Sequence, residues 1–206
     1  MRIIANIRGC NGSGKSSIPM SMLDDPDMFV IYKPYKGRDK GIATVFPNYK
    51  WIALGTYFNK TGGLDGFTNR AFTEKVFWYI LNHYPEYNVL LEGAVASTYY
   101  GPYIEMFKVA QQKYPDRRIW VCSLLPSYKI CLKRVLHRNG GKPINEQRLL
   151  TRYNYVVSSH QKFVDAGIHA FTWDNKGTNK KQVKLIAQLE QRILDEELLL
   201  DENLPF

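Results

Sequence analysis

The chain has 206 residues, 45% of them apolar and 23% charged, with 14 tyrosines, 10 phenylalanines and a formal net charge of +9. That length suits one sizeable core rather than two, and no apolar run approaches the roughly 18 residues that cross a bilayer. The cationic surplus sets up a field that attracts polyanions, whether nucleotides or a nucleic acid.

The opening MRIIANIRG is too short for a signal peptide and reads as a buried strand over residues 2–7, so export is not expected. Three cysteines, Cys10, Cys122 and Cys131, follow no paired or metal-ligand spacing, which points to a reducing compartment. Cys122 and Cys131 sit among apolar residues as small core hydrophobes. A glycine-rich loop comes next, then a first helix from about Lys15 with Pro19 in its opening turn, where a missing N–H matters little. MFVIY (28–32) reads as a second strand.

Residues 33–67 lack helical periodicity. Within them IATVF and WIALGTY are β-like runs separated by PNYK, the pattern of a hairpin, and TGGLDGF is loop. This stretch reads as an insertion on the scaffold, and a segment of that length points to a functional site. Thr68 is placed to cap a helix whose Phe72, Val76, Phe77 and Ile80 form an apolar stripe. YNVLLEG is a continuous apolar strand ending at Glu92. A helix follows over about 102–113, then the buried strand RIWVCSLL, a helix over LPSYKICLKRVLHR, the linker NGGKPIN, a helix over about 146–164, the strand HAFTW, and a last amphipathic helix over 179–199 with Val183, Ile186, Leu189 and Ile193 toward the core. Apolar strands alternating with helices predict an α/β fold of three layers. Its mostly parallel five-stranded sheet carries helices on both faces, with a hairpin insertion and a small lid added.

GCNGSGKS fits G-x-x-x-x-G-K-[ST], with a strand before it and a helix after it. Glycines let backbone N–H groups converge on phosphate oxygens without Cβ obstruction. The expected cradle is Gly12, Ser13, Gly14, Lys15, Ser16 and Ser17, with Lys15 spanning the β- and γ-phosphates of ATP and Ser16 offering its hydroxyl to Mg²⁺. A carboxylate for the metal belongs at the end of a neighbouring buried strand, where Glu92 stands. Asp24 and Asp25 are weaker candidates for that carboxylate and read as a turn before the second strand.

Arg134 and Arg138 share one helical face and can counter charge on the transferred phosphoryl group. Arg148 and Arg152 repeat the spacing on the next helix. Two basic helix ends joined by Gly140, Gly141 and Lys142 suit a lid over about 138–148 whose closure excludes water. No NKxD guanine signature occurs, since DNKG at 174–177 has the wrong order and NKTG at 59–62 lacks the aspartate; this argues against a GTPase. For a phosphoryl acceptor, Asp65 in TGGLDGF is the expected orienting base, with Asp39 in reserve. Lys33, Lys36, Arg38, Lys40, Lys50 and Lys60, interleaved with aromatics, suit a polymeric acceptor whose backbone is neutralised and whose bases stack. Trp51, Tyr57 and Phe58 are the candidate stackers. A soluble nucleoside or nucleotide kinase and a nucleotide-gated nucleic-acid-binding ATPase remain open alternatives.

The whole chain resembles the nucleoside- and nucleotide-kinase branch of P-loop proteins. That resemblance implies Arg134 against adenine, Arg138 against the phosphates, and an adenine border at 175–178. RGCNGSGKSS near the start, TGGLDGF, VLLEG and CLKRVLHR together resemble phage P-loop kinases of thymidine hypermodification. This second resemblance implies ATP with Mg²⁺ as donor, 5-hydroxymethyluracil in double-stranded DNA as acceptor, and the cytoplasm of an infected bacterium as location. Glu92 stands where related kinases often have aspartate, and it reaches one methylene further.

Overall fold

The computed structural model describes residues 2–58, 63–67, 69–94, 96–175 and 185–202. Lys60, Thr68, Val183, residues 176–178 and the start of the last expected helix lie outside them. Seven strands, β1 (Arg2–Arg8), β2 (Phe29–Tyr35), β3 (Arg38–Phe46), β4 (Trp51–Leu54), β5 (Asn88–Glu92), β6 (Arg117–Leu124) and β7 (His169–Trp173), form one sheet in the order β2-β3-β4-β5-β1-β6-β7.

The last five of that order run parallel, while β2 and β3 add on as antiparallel strands. The expectation of five strands plus a separate hairpin therefore needs correcting. The PNYK turn does join two antiparallel strands, but both hydrogen-bond into the main sheet. Trp51 to Ala53 pair with Asn88 to Leu90, so the stretch read as an insertion completes the scaffold.

The strands are apolar on both faces because both are covered. On one side α2 (Arg70–His83), α3 (Gly101–Lys113) and α5 (Glu146–Asp165) bury Phe77, Phe107 and Phe163 against Ile4, Val89 and Leu91. On the other, α1 (Ser17–Met20) and α6 (Leu185–Glu202) bury Ile18, Ile186, Leu189 and Ile193 against Ala5, Ile7 and Leu90. Alternate residues of β1 and β5 thus feed opposite cores, as a pleat of period two requires. α4 (Tyr128–Arg138) packs through Cys131 on Cys10 and Leu149, at the carboxyl end of the sheet.

Two helix starts are set by asparagine. The Asn69 side chain accepts the Phe72 N–H at 2.9 Å and Asn145 accepts that of Arg148 at 2.8 Å. The cap of α2 is thus observed at Asn69, one residue after the expected position. The helix following the glycine-rich loop is shorter than expected. α1 is a single turn of four residues, so the loop's own amides, and little helix dipole, face its contents. Among the described residues no helix is long and apolar enough to cross a membrane.

Phe107 is fully buried among Phe77, Tyr103 and Phe163, with ring centroids 6.0–6.4 Å away. Phe107→Ala should lower unfolding free energy by about 3–5 kcal/mol. Urea titration should show this as a lower midpoint at an unchanged slope.

Candidate active site

The loop between β1 and α1 is braced from three directions. Cys10 carbonyl accepts the Ser13 N–H at 3.2 Å and the Lys15 ammonium at 3.1 Å, closing the loop on itself. Gly12 and Gly14 take φ of +82° and +97°, and a Cβ at Gly12 would stand 2.4 Å from the Cys131 carbonyl of α4. The loop therefore lies directly against that helix. Arg134 fastens the contact, its guanidinium donating to the carbonyls of Gly12 (3.2 Å), Ser13 (3.4 Å) and Asn175 (2.9 Å). Arg152 of α5 reaches the Asn11 side chain at 3.1 Å. Arg138 is exposed in the last turn of α4, and neither it nor the exposed Arg148 makes a side-chain hydrogen bond among the described residues.

The third brace went unnoticed in the sequence. Arg8, directly before the loop, is completely buried. It donates to the carbonyls of Ser97 (2.7 Å), Tyr99 (3.1 Å) and Ala96 (3.4 Å), and its guanidinium carbon lies 4.7 Å from the Phe163 ring centre. Burial lowers its pKa to about 10, so it stays charged. Gly9 N–H donates to Ser97 Oγ at 3.1 Å, and Ser97 Oγ donates to the Gly93 carbonyl at 2.7 Å. The available sequence signal was a cation in the last position of a strand whose interior is mostly apolar.

Parallel pairing puts Ile7 of β1 beside Glu92 of β5, which brings the strand-end carboxylate to the loop. Ser16 Oγ donates to Glu92 Oε2 at 3.2 Å. Glu92 is 1% exposed and its Oε1 has no hydrogen bond of good geometry among the described residues. The hydroxyl of Tyr57, buried close by, lies 3.4 Å from the Leu54 carbonyl and within hydrogen-bonding reach of Glu92. Burial raises the Glu92 pKa, as does the charge of Asp65, against the opposing pull of Lys15, Ser16 and Tyr57. An orphaned buried carboxylate oxygen beside a serine hydroxyl and a lysine fits a magnesium ion, which takes few protein ligands and completes its shell with water and phosphate oxygens.

The backbone at Gly63 passes so close to Glu92 that a Cβ there would lie 2.3 Å from Oε1, and its φ is +61°. Glycine in TGGLDGF therefore lets the turn over residues 63–66 press against the carboxylate. The same turn presents Asp65, whose Oδ2 accepts the Ala94 N–H at 2.8 Å. Asp65 opens onto a cavity of about 360 Å³, lined also by Phe67, Asn69, Arg70, Tyr99 and Tyr103. Burial, with the charge of Asp65, pushes the Tyr103 pKa up to about 12, so its phenol remains protonated.

Several expected residues lie elsewhere. Trp51 is fully buried with its indole N–H on Glu190 at 2.7 Å, and Tyr57 is buried beside Glu92, so neither can stack on a base. Phe58 is exposed. Asp25 is buried and holds the backbone and side chain of Asn48, while Asp24 accepts the Tyr49 hydroxyl; both are structural, as expected of that turn. Asp39 is exposed on β3, outside the cavity lining.

A phosphate loop at the end of a central parallel strand, a serine and a strand-end carboxylate beside it, and helices on both faces define a kinase-like P-loop protein. A family profile described as 5-hmdU DNA kinase matches residues 3–180, and the chain belongs to that family. Over 177 residues it is 41% identical to a 5-hmdU DNA kinase of Bacillus phage SP10, covering 84% of this chain and 27% of that one. It is 31% identical over 193 residues to a 5-hmdU DNA kinase of Pseudomonas phage M6, covering 89% and 96%. It is 30% identical over 162 residues to 5-hmdU DNA kinase 1 of Salmonella phage ViI, covering 76% and 68%. The chain thus spans about a quarter of the first of these relatives and nearly all of the second.

Because folded Glu92 holds its proton more tightly than the unfolded glutamate, with its ordinary value of 4.5, its contribution to stability falls as pH rises from there through the elevated folded value. Glu92→Gln should therefore melt higher than the parent at neutral pH, with the gap closing toward pH 4.5. Calorimetry across that range checks it.

Proposed function

We propose that this chain transfers the γ-phosphate of ATP to the hydroxymethyl group of 5-hydroxymethyluracil in DNA. Membership of the family supports the reaction. The observation that carries the reading for this chain is the short span of β5 and its exit. Glu92 meets Ser16 of the phosphate loop, and two residues later Ala94 meets Asp65 at the mouth of the cavity. In this reading the donor and acceptor places lie side by side.

In this reading Gly12, Ser13, Gly14, Lys15, Ser16 and Ser17 cradle the phosphates, and Ser16 with Glu92 holds magnesium. When bound, that ion neutralises phosphate charge and orients the nucleotide. Lys15 turns from the Cys10 carbonyl to the β- and γ-phosphate oxygens. Asp65, fixed by Ala94, orients the acceptor hydroxyl and takes its proton as the oxygen bonds to the γ-phosphorus and the bond from that phosphorus to ADP breaks, ADP leaving; little proton removal is needed before the transition state. Arg138, carried on α4, approaches the transferred group when the lid over 138–148 closes and water is excluded. The cavity accepts the target base, drawn from the helix stack, between the faces of Phe67, Tyr99 and Tyr103. Extrusion costs a few kcal/mol, which stacking and phosphate contacts offset.

The reading is tested with γ-labelled ATP, Mg²⁺, and either duplex DNA containing 5-hydroxymethyluracil or the matching nucleoside and nucleotide. Label in DNA alone is expected. Label in the monomer alone would make the chain a soluble nucleoside or nucleotide kinase, and DNA-dependent hydrolysis without transfer would make it a nucleotide-gated binding protein. Asp65→Asn should slow transfer by about 10²-fold or more while leaving ATP affinity nearly unchanged. An unaltered rate would remove Asp65 from the reaction. Lys15→Ala should lose both nucleotide binding and transfer.

A further inference from the structure

We propose that the β2–β3 ribbon is a docking rail for the sugar–phosphate backbone of duplex DNA, with Lys36 and Arg38 at its tip as the phosphate contacts. This rests on the reading above, that the acceptor base is carried in DNA, and adds where the duplex lies.

The ribbon sorts its charges by face. Directly opposed residues of an antiparallel pair share a face, and residues two apart share it too. The register pairs Tyr35 with Arg38 and Lys33 with Lys40, so these four lie on one face; Pro34 and Asp39 oppose each other on the other. Asp39, the one acidic residue of the ribbon, is thus turned away from the cations. Setting Lys33 directly across from Lys40 is itself unfavourable in a sheet. None of Lys33, Lys36, Arg38 and Lys40 forms an ion pair among the described residues.

The cationic face is the one turned toward the acceptor cavity. Lys40 Nζ donates to the Gly66 carbonyl at 2.7 Å, next to Asp65, and stands 5.8 Å from the ring centre of Phe67 in the cavity wall. Lys33 lies 4.3 Å from the Tyr79 ring centre of α2, and Tyr35 packs on Phe72 at 4.4 Å. The outer half of the ribbon is therefore seated on the turn that holds Asp65 and along α2. Its tip is stiff: Lys36 and Gly37 have φ of 50° and 77°, which closes the strands in a two-residue turn with pairing intact up to Tyr35 and Arg38. Arg38 is two residues beyond Lys40, about 7 Å along the strand. Phosphates of one DNA strand advance about 3.4 Å along the helix axis per nucleotide, so the exposed Lys36 and Arg38 reach phosphates within two or three nucleotides of a base held in the cavity. A free nucleoside has nothing at that distance to bind.

The test compares the parent protein, Lys36→Gln/Arg38→Gln, and Lys108→Gln/Lys129→Gln, which removes the same charge at exposed positions on α3 and α4. Affinity for an unmodified labelled duplex is measured by anisotropy between about 50 and 200 mM KCl. The hairpin variant should lose about 1.8 from the magnitude of the slope of log K against log salt, at about 0.9 per phosphate contact. Its KM for modified DNA should rise about tenfold or more, with kcat and the KM for ATP unchanged. The α3/α4 variant should keep the parent slope. An unchanged slope in the hairpin variant, or an equal loss in the control, overturns the proposal. Absence of any label in DNA with the parent protein would overturn the acceptor assignment instead, a result distinct from the slopes.

Discussion

A carboxylate held almost wholly out of water is the constraint around which this molecule is arranged. Glu92 closes a run of buried apolar residues, and its pKa is raised by that burial. An unpaired charge in such a place is expensive to keep. Its surroundings are correspondingly specific: a serine hydroxyl at one oxygen, a lysine in the adjoining loop, and a glycine turn pressed against the other oxygen. Strand order makes the arrangement possible, because β5 and β1 are neighbours and end at the same level. Remove that adjacency and the phosphate loop would have no acid beside it.

The second organising element is a buried cation. Arg8 and Gly9 reach the carbonyls and hydroxyl of the turn over residues 96–99, while the residues that follow wrap into the phosphate loop. That turn and the Asp65 turn both line one cavity. Loop, carboxylate and cavity thus belong to a continuous network of hydrogen bonds made by side chains, most of them to the main chain. The basic ribbon is attached to the same turn through Lys40.

Local patterns made much of this legible from the sequence. The phosphate loop, the strand ending in glutamate, the arginine-bearing helix and the aspartate in its glycine-rich turn each rest on spacing within a few residues, and each lies in the element expected. What escaped depends on partners far along the chain. Arg8 meets carbonyls about ninety residues away, and no periodicity announces such a contact. Residue type also misled at Trp51 and Tyr57, read as base stackers. Trp51 lies in β4, between β3 and β5 with both faces covered, so it is core; Tyr57, three residues past that strand, is buried beside Glu92. The hairpin turn was correctly placed, but its incorporation into the main sheet depends on β4 pairing with β5, a parallel contact across more than thirty residues.

The pinning of the phosphate loop by Arg8 has a mechanical corollary. With the loop tied on that side to the wall of the cavity, the two cannot separate without unpairing three carbonyls from a buried guanidinium. On the opposite flank the loop is held by side chains of α4 and α5, whose connecting segment carries two glycines with positive φ. The loop is thus clamped between two vices, a buried cation from its own strand on one flank and a pair of helices joined through a glycine doublet on the other.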